Sequence, residues 1–401
     1  MPNIIIREEV IIMMPLNIPK DIDKYFYNRK KDIKKISFQI NGIYDDLSSQ
    51  LLITGQRGVG KTFLLKKILN DQKNDVLTLY LDIAEVYSQN NGNINESIVL
   101  KELMDKLLNL ISGDDIVLEK VLKLFSNLKI KDISLYDSKT VSKIPVPKIK
   151  DNYQKLSKFV MELPQYIVDV SPEIKGIVIV IDEFQQLKHV ENPDALFWLF
   201  RSYIQKQSNV CYSFTGSVSK TADVIQMING PMGAFGGRMI QIDIAPFSKD
   251  ETSSYIKEKS NNIKFTEDGF ERFYNCTKGI PAYINSFCNV LNPGVEYDSE
   301  MIKKAFLMQM DQIVIMWLYV WGNLNENEKN LVKIFVENDG SLFLKDIQDL
   351  AELSKTTLIK YLDSLSMKGI IKYTENGYIL NDDMLKTWLR HKLETEGHYP
   401  L

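Results

Sequence analysis

The stretch GQRGVGKT, residues 55–62, follows the apolar run LLIT (51–54) and precedes the helix-like segment FLLKK (63–67). It has the spacing of a P-loop, in which glycines let successive backbone N–H groups converge on phosphate oxygens at a helix N-terminus. Lys61 is expected to reach the β and γ phosphates of a nucleotide, and Thr62 to offer its hydroxyl to Mg²⁺. A structural glycine turn is the alternative, but the flanking strand and helix patterns favour a nucleotide site. The predicted nucleotide-binding residues of this stretch are Gly55, Gln56, Arg57, Gly58, Val59, Gly60, Lys61, Thr62 and Phe63.

The composition is that of a globular protein with nearly balanced charge. The chain has 401 residues, 44% hydrophobic and 25% charged, with a net charge of −3. This balance provides no overall attraction to nucleic acid or to an anionic membrane. The three cysteines lack zinc-binding spacing and are expected to be buried, reduced thiols.

The N-terminal segment is apolar but is interrupted by Arg7, Glu8 and Glu9. A signal-peptide core does not tolerate such charges, and the longest apolar runs are too short to span a bilayer. We therefore expect a cytoplasmic protein with no membrane partner.

After the P-loop, strand and helix patterns alternate, as is typical of an α/β fold with a parallel sheet. Residues 76–81 are predicted to form a strand and 96–111 a helix. The β-branched run 176–181 fits a central strand buried on both faces. Weaker strand patterns cover 210–214 and 239–244.

Two segments depart from this alternation. Residues 130–150, with their two prolines, are expected to form a short hairpin or loop outside the core. Beyond Ser248 the strand patterns stop, and amphipathic helices are predicted at 249–259, 266–277 and 281–291.

The C-terminal region has the pattern of a winged helix-turn-helix. Helices are predicted at 325–339, 344–353 and 355–368, followed by a hairpin that turns at 375–377. Such modules often bind DNA, but residues 340–401 contain eight Lys/Arg against nine Asp/Glu. DNA readers need a basic surface, so the charge favours an internal switch that acts on the rest of the chain.

A pair of carboxylates closes the most apolar strand pattern. Residues 177–181 are followed by Asp182 and Glu183, and Asp182 is expected to hold Mg²⁺ through water or Thr62. Glu183 is expected to orient and deprotonate an attacking water. Surface acids at a strand end are the alternative. Because no Asn-Lys-x-Asp guanine-reading motif follows, ATP is favoured over GTP.

The segment VIDEFQQL (180–187) resembles the Walker B motif of the predominantly archaeal ATPase family, a P-loop family related to AAA+ and STAND proteins. Further stretches similar to the family's motifs follow in its order: FYNRKKDI (26–33), TGSVS (215–219), FGGR (235–238), KGIPAY (278–283) and DDMLKTWL (382–389). The likeness spans nearly the whole chain. Asp383 departs from it, because it stands where the family usually has proline.

The resemblance implies an AAA+/ASCE-like P-loop NTPase with the sheet order 5-1-4-3-2, a helical lid and a winged helix. It implies a lead segment 1–45 that carries the adenine-side box, an ATPase core 46–246, a lid with linker 247–322 and a winged-helix domain 323–401.

The resemblance also implies roles for single residues. Asn28 and Arg29 are expected near the adenine, Pro281 against the base, and Ser217 beside the γ-phosphate as a sensor. Arg238 is expected to be an arginine finger, in cis or in trans. A turn-capping Ser217 and a surface ion pair of Arg238 remain the alternatives.

Three functions remain open from the sequence. The first is an Mg²⁺-dependent ATPase that converts ATP to ADP and phosphate. The second is a slow STAND-type nucleotide switch that signals by rearranging, and the third is a DNA-associated regulator that uses the winged helix. Self-association is left open.

Overall fold

The computed structural model describes residues 13–127, 133–135, 145–147, 153–216 and 223–400. These residues form two compact units. The first comprises the described residues of Met1–Asn28 together with Gln56–Phe63 and Ala245–Leu401, and the second comprises Arg29–Gly55 and Leu64–Ile244.

The helices are α1 Ile22–Tyr25, α2 Lys30–Ile40, α3 Lys61–Asn70, α4 Ile83–Gln89, α5 Glu96–Leu110, α6 Asp115–Asn127, α7 Tyr153–Val170, α8 Pro193–Ile204, α9 Asp223–Asn229, α10 Lys249–Lys259, α11 Glu267–Thr277, α12 Pro281–Val290, α13 Ser299–Met308, α14 Met310–Ile313, α15 Ile315–Gly322, α16 Glu326–Glu337, α17 Leu344–Ala351, α18 Lys355–Met367 and α19 Asp383–Glu396. The strands are β1 Leu51–Thr54, β2 Val76–Asp82, β3 Ile133–Leu135, β4 Pro145–Pro147, β5 Gly176–Asp182, β6 Val210–Thr215, β7 Ile240–Asp243, β8 Lys264–Phe265, β9 Glu296–Tyr297, β10 Ile371–Thr374 and β11 Gly377–Leu380. Short 3-10 helices cover Asn41–Asp45 and Phe184–His189.

The second unit is built on a five-stranded parallel sheet in the order β2-β5-β6-β1-β7. Numbered along the chain within this sheet alone, the order is 2-3-4-1-5. All seven residues of β5 are buried, as its β-branched run predicts for a central strand. Helices α5 and α7 pack on each other and on β2 and β5. Because the strands are parallel, the carboxyl ends of β1, β5 and β6 lie at one edge of the sheet.

The predicted hairpin of residues 130–150 contains an antiparallel pair of strands. Within it β3 pairs with β4, with Ile133 opposite Pro147. The rest of this segment lies outside the described residues.

Helices α10, α11 and α12 of the first unit agree with the predicted helices to within a residue at every end. Ser248 caps α10 in a capping box with Glu251. The expectation that strands stop at Ser248 is wrong, because β8 and β9 pair in parallel between these helices. A strand of two residues is too short to produce an alternating pattern, so periodicity cannot reveal it.

The C-terminal part of this unit places three helices, α16, α17 and α18, before the antiparallel hairpin β10–β11. Ser354 caps α18 by accepting a hydrogen bond from the Thr357 N–H. Glu328, only 2% exposed, accepts hydrogen bonds from Lys368 Nζ (2.6 and 2.7 Å) and from Ser364 Oγ (2.5 Å), which ties α16 to the end of α18. Burial alone would raise the pKa of Glu328, but these donors outweigh it and lower the pKa below its usual value.

The buried side chains of this unit include Trp317 and Trp321, which both lie on the apolar helix α15. Cys211 and Cys288 are buried free cysteines, whereas Cys276 is only half-buried, so the expectation of a buried thiol is wrong there. Over the residues that the structure describes, no helix is both long and apolar enough to cross a membrane.

Candidate functional site

The loop between β1 and α3 takes a conformation that depends on its glycines. Gly55, Gly58 and Gly60 have φ of 145°, 82° and 92°, values that side chains with a Cβ rarely adopt. Helix α3 begins at Lys61, whose Nζ donates to the carbonyl of Gln56 at 3.0 Å. The lysine therefore lies along the loop that precedes it, at the positive end of the helix dipole.

The space around the loop fits a phosphate-bearing ligand. A Cβ built at Gly60 would have no heavy atom within 4 Å, so the backbone at the start of α3 faces open space. Backbone N–H groups, a lysine and a helix N-terminus together suit a polyphosphate. Mg²⁺ prefers oxygen ligands and is bound by protein and phosphate oxygens together, so the Thr62 hydroxyl suits this ion.

The loop contacts other parts of the first unit. The N–H of Ala282, in α12, donates to the carbonyl of Gly58 at 3.2 Å. Gln56 Nε2 donates to the carbonyl of Asn381, just after β11, at 3.2 Å. The Phe63 ring packs edge-on against Phe26, with 5.4 Å between centroids. The loop and the first turn of α3 thus contact two of the sequence motifs, FYNRKKDI and KGIPAY, and the residue just before a third, DDMLKTWL.

The turn before α12 also requires glycine. Gly279 has φ of 69°, and a Cβ there would lie 1.9 Å from the carbonyl oxygen of Phe247. The Phe247 N–H donates to the Gly279 carbonyl at 2.8 Å. Pro281 occupies the first turn of α12, the position where proline costs no hydrogen bond.

A buried polar network lies behind this turn. The Tyr283 hydroxyl donates to Asp382 Oδ2 at 2.8 Å and accepts a hydrogen bond from Trp317 Nε1. Asp382 caps α19 by accepting from the N–H groups of Met384 and Leu385. Burial raises the pKa of Asp382, and burial followed by the Asp382 charge raises that of Tyr283.

Asn28 and Arg29 have consecutive left-handed backbone conformations, with φ of 56° and 59°. Asn28 Nδ2 donates to Glu251 Oε1 at 2.7 Å in the first unit. In the second unit, Arg29 precedes α2 and pairs with Asp32 at 3.5 Å.

The carboxyl edge of the sheet in the second unit carries an acidic cluster. Asp182, 2% exposed, accepts a hydrogen bond from the Tyr80 hydroxyl, and its Oδ1 accepts from the Glu183 N–H at 2.8 Å. Asp82 lies opposite Asp182 in the β2–β5 register. Burial and then the charge of Asp182 raise the pKa of Asp82. Two carboxylates at one sheet edge suit a cation that neutralises them.

Glu183 follows β5 with φ of 50° and is half-buried. Its Oε2 accepts a hydrogen bond from Gln185 Nε2. Gly216, at the end of β6, lies against the same amide, because a Cβ there would be 2.1 Å from Gln185 Oε1.

Two predicted residues have less structural support. Ser217 lies outside the described residues, so its sensor role stays a prediction. Arg238 is exposed and follows Gly236 and Gly237, whose φ values are 56° and 76°. The glycines turn the chain just before β7, and the arginine lies on the surface of the second unit.

The sequence reading missed three contributors to this chemistry: Tyr80, Asp82 and Gln185. Asp82 ends β2 as Asp182 ends β5, so a search for acids at every strand end would have found it. Tyr80 and Gln185 act through contacts that no spacing reveals.

Residues 26–287 match the family described as ATPase domain predominantly from Archaea. No curated protein matches the chain. Among solved structures, a Walker-type ATPase of Pyrococcus abyssi aligns with 94% of this chain and 99% of its own, at 19% identity and a TM-score of 0.61.

Two DNA complexes are more distant. The ORC1 protein of Aeropyrum pernix in complex with DNA covers 96% of this chain and 97% of its own, at 11% identity and a TM-score of 0.47. Drosophila ORC bound to DNA covers 94% and 90%, at 10% identity and a TM-score of 0.40. The likeness of fold therefore rests on the Pyrococcus protein.

Proposed function

The chain belongs to the family of ATPase domains found predominantly in Archaea, and on that premise we propose that it binds ATP with Mg²⁺ in the P-loop and hydrolyses it to ADP and phosphate. The observation that carries the proposal is the loop conformation, with positive φ at Gly58 and Gly60 and open space over Gly60 at the start of α3. This arrangement suits a triphosphate chain and serves no evident packing purpose at Gly60.

In the proposed site, Lys61 and the loop N–H groups bind the β and γ phosphates. Thr62 and Asp182 hold Mg²⁺, which when bound neutralises charge on the phosphates. Glu183 accepts a proton from water as the water oxygen bonds to the γ phosphorus and the bond from phosphorus to the bridging oxygen breaks. The products are ADP and inorganic phosphate.

The remaining proposed roles lie at the margin of the site. Ser217 senses the γ-phosphate, and Arg238 supplies positive charge to the transition state in its own or a neighbouring copy. Asn28, Arg29 and Pro281 border the adenine. We expect these contacts to change between two states when ATP is hydrolysed, and this change is the proposed signal to the rest of the chain.

The contacts of the loop support coupling to the C-terminal region. In the proposed division, 247–322 is a lid and 323–401 a winged-helix domain. Gly58 touches the start of α12 and Gln56 touches Asn381, so a loop that moves with nucleotide state changes contacts in both.

Equilibrium binding and turnover test the proposal together. Wild-type protein is expected to bind ATP with Mg²⁺ saturably, Lys61→Ala to lose binding, and Glu183→Gln to retain binding without hydrolysis. Lys67→Ala is the matched control, since Lys67 lies further along α3 and pairs with Asp71 at 2.5 Å. Absence of saturable ATP binding by the wild-type protein refutes the proposal.

A slow nucleotide switch is the second candidate, and the contacts of the loop with α12 and Asn381 favour it. A working ATPase is expected to turn over faster than about once a minute, whereas a switch retains ADP and turns over more slowly. Identification of any nucleotide that copurifies, followed by a steady-state phosphate-release assay, separates the two.

A further inference from the structure

The side chain of Gln185 is buried in an arrangement that packing alone does not explain. It lies just beyond β5 and is 2% exposed. Its Nε2 donates to Glu183 Oε2, and because a carboxylate only accepts hydrogen bonds, this contact fixes which way the amide faces.

The other end of the amide is left without a partner. Gln185 Oε1 is buried and makes no hydrogen bond. A buried carbonyl oxygen without a donor destabilises a fold, and an apolar side chain of similar size would avoid that cost. A polar residue at such a position points to a role for its N–H group.

Gly216 provides the space that this orientation needs. A Cβ at residue 216 would lie 2.1 Å from Gln185 Oε1 and 3.1 Å from its Cδ. The φ angle of Gly216 is not positive, so its backbone conformation does not itself require glycine. The glycine therefore serves the amide that lies against it.

We propose that Gln185 is a positioning residue that holds Glu183 through the Nε2–Oε2 hydrogen bond, and that Gly216 makes room for it. The backbone of Glu183 is already fixed in the left-handed region, and the amide fixes the carboxylate at the end of that side chain. The hydrogen bond thereby sets the orientation of the carboxylate that is proposed to deprotonate the attacking water. This inference rests on the proposed function of Glu183.

Gln185→Leu removes the donor and keeps an apolar side chain of similar size, and Gly216→Ala displaces the amide. Each is expected to lower kcat for ATP hydrolysis by about a hundredfold, the scale of a misplacement near 1 Å, with ATP affinity within about twofold of wild type. Gln186→Leu, on the neighbouring residue of the same type, is the matched control and leaves kcat unchanged.

Two further readouts separate positioning from a structural role. The melting temperature of Gln185→Leu is expected to equal or exceed that of wild type, because an unsatisfied buried oxygen is removed. In a Glu183→Asp background, in which the carboxylate is one methylene shorter and residual turnover can be measured, Gln185→Leu is expected to add little further loss of turnover, since the two residues act as one unit.

The failures are distinguishable. A wild-type protein without ATP binding or turnover sinks the proposed function. A wild type that hydrolyses ATP and loses turnover on Glu183→Gln, but keeps full kcat in Gln185→Leu, sinks the positioning inference alone. So does a loss of kcat that is fully matched by a lower melting temperature, or one that persists undiminished in the Glu183→Asp background.

Discussion

Replacement of Gly58 by alanine tests the contact between the P-loop and α12 more sharply than any other change. A Cβ at Gly58 would lie 2.8 Å from the Ala282 Cβ, 3.2 Å from Ile280 Cγ2 and 3.3 Å from Met316 Sδ. Gly60, two residues on, has a similar positive φ but no heavy atom within 4 Å of its Cβ position. Gly60→Ala is therefore the matched control for backbone strain.

Two energetic costs decide the stability of each variant: backbone strain at positive φ and overpacking of the added Cβ. A residue with a Cβ held at positive φ costs about 1–2 kcal/mol, which both variants incur. Overpacking adds about 1–3 kcal/mol at Gly58 alone. We expect Gly60→Ala to lower the free energy of unfolding by about 1–2 kcal/mol and Gly58→Ala by about 2–5 kcal/mol. The reduced freedom of the unfolded chain is common to both and cancels in the comparison.

Urea unfolding of the nucleotide-free protein, followed by tryptophan fluorescence, measures both costs. Trp317, Trp321 and Trp388 lie in the same compact unit as Gly58 and report on it. Repeating Gly58→Ala in an Ala282→Gly background removes the closest clash, so the added cost is expected to fall towards that of Gly60→Ala.

Two results refute the reasoning. The first is an equal loss of stability in Gly58→Ala and Gly60→Ala. The second is a cost of Gly58→Ala that is the same with alanine or glycine at 282. Either would mean that the loop does not press on α12 in solution.

Three other predictions follow from the same structure. Lys368→Met leaves the buried Glu328 carboxylate without its cation and is expected to lower the free energy of unfolding by about 1.5–3 kcal/mol at pH 7. Because the folded-state pKa of Glu328 is lowered, its stabilisation is present above the unfolded pKa near 4.5 and is lost as pH falls through the folded pKa, so urea unfolding at low pH should bring the variant and wild type together. Arg238→Ala is expected to keep ATP affinity and lose about a thousandfold in kcat, and recovery of turnover on mixing it with Lys61→Ala protein indicates action in trans, whereas no recovery indicates cis. The full-length protein is expected to give no salt-dependent binding of random duplex DNA in a fluorescence anisotropy titration at low salt, because residues 340–401 carry no net positive charge, and strong binding would contradict the charge argument.

Local sequence pattern predicted the parts of the structure that local rules control. The P-loop, its flanking strand and helix, and the buried β5 follow from spacing, glycine positions and β-branched runs. Helices α10 and α11 have Ser248 and Thr266 as side-chain caps at their predicted starts.

Contacts across large distances in sequence could not be predicted. The Tyr80 hydroxyl meets Asp182 across 102 positions, and the space at Gly216 is intelligible only once Gln185 is seen against it. No periodic sequence pattern reveals either pair, because each contact joins two segments that only the fold brings together. The contact of Gly58 with Ala282 could not be predicted either, because the P-loop spacing carries no information about which helix packs against the loop.

The Tyr283–Asp382–Trp317 network bears on how this protein can be dissected. A fragment that stopped near residue 287, where the family match ends, would carry Tyr283 without either hydrogen-bonding neighbour and Gln56 without Asn381. It would also lack the buried apolar side chains that α13 to α19 contribute to the cluster around Tyr283. The P-loop thus depends on contacts with residues beyond 287. A fragment limited to residues 26–287 is expected to fold poorly and to aggregate rather than to act as a minimal enzyme.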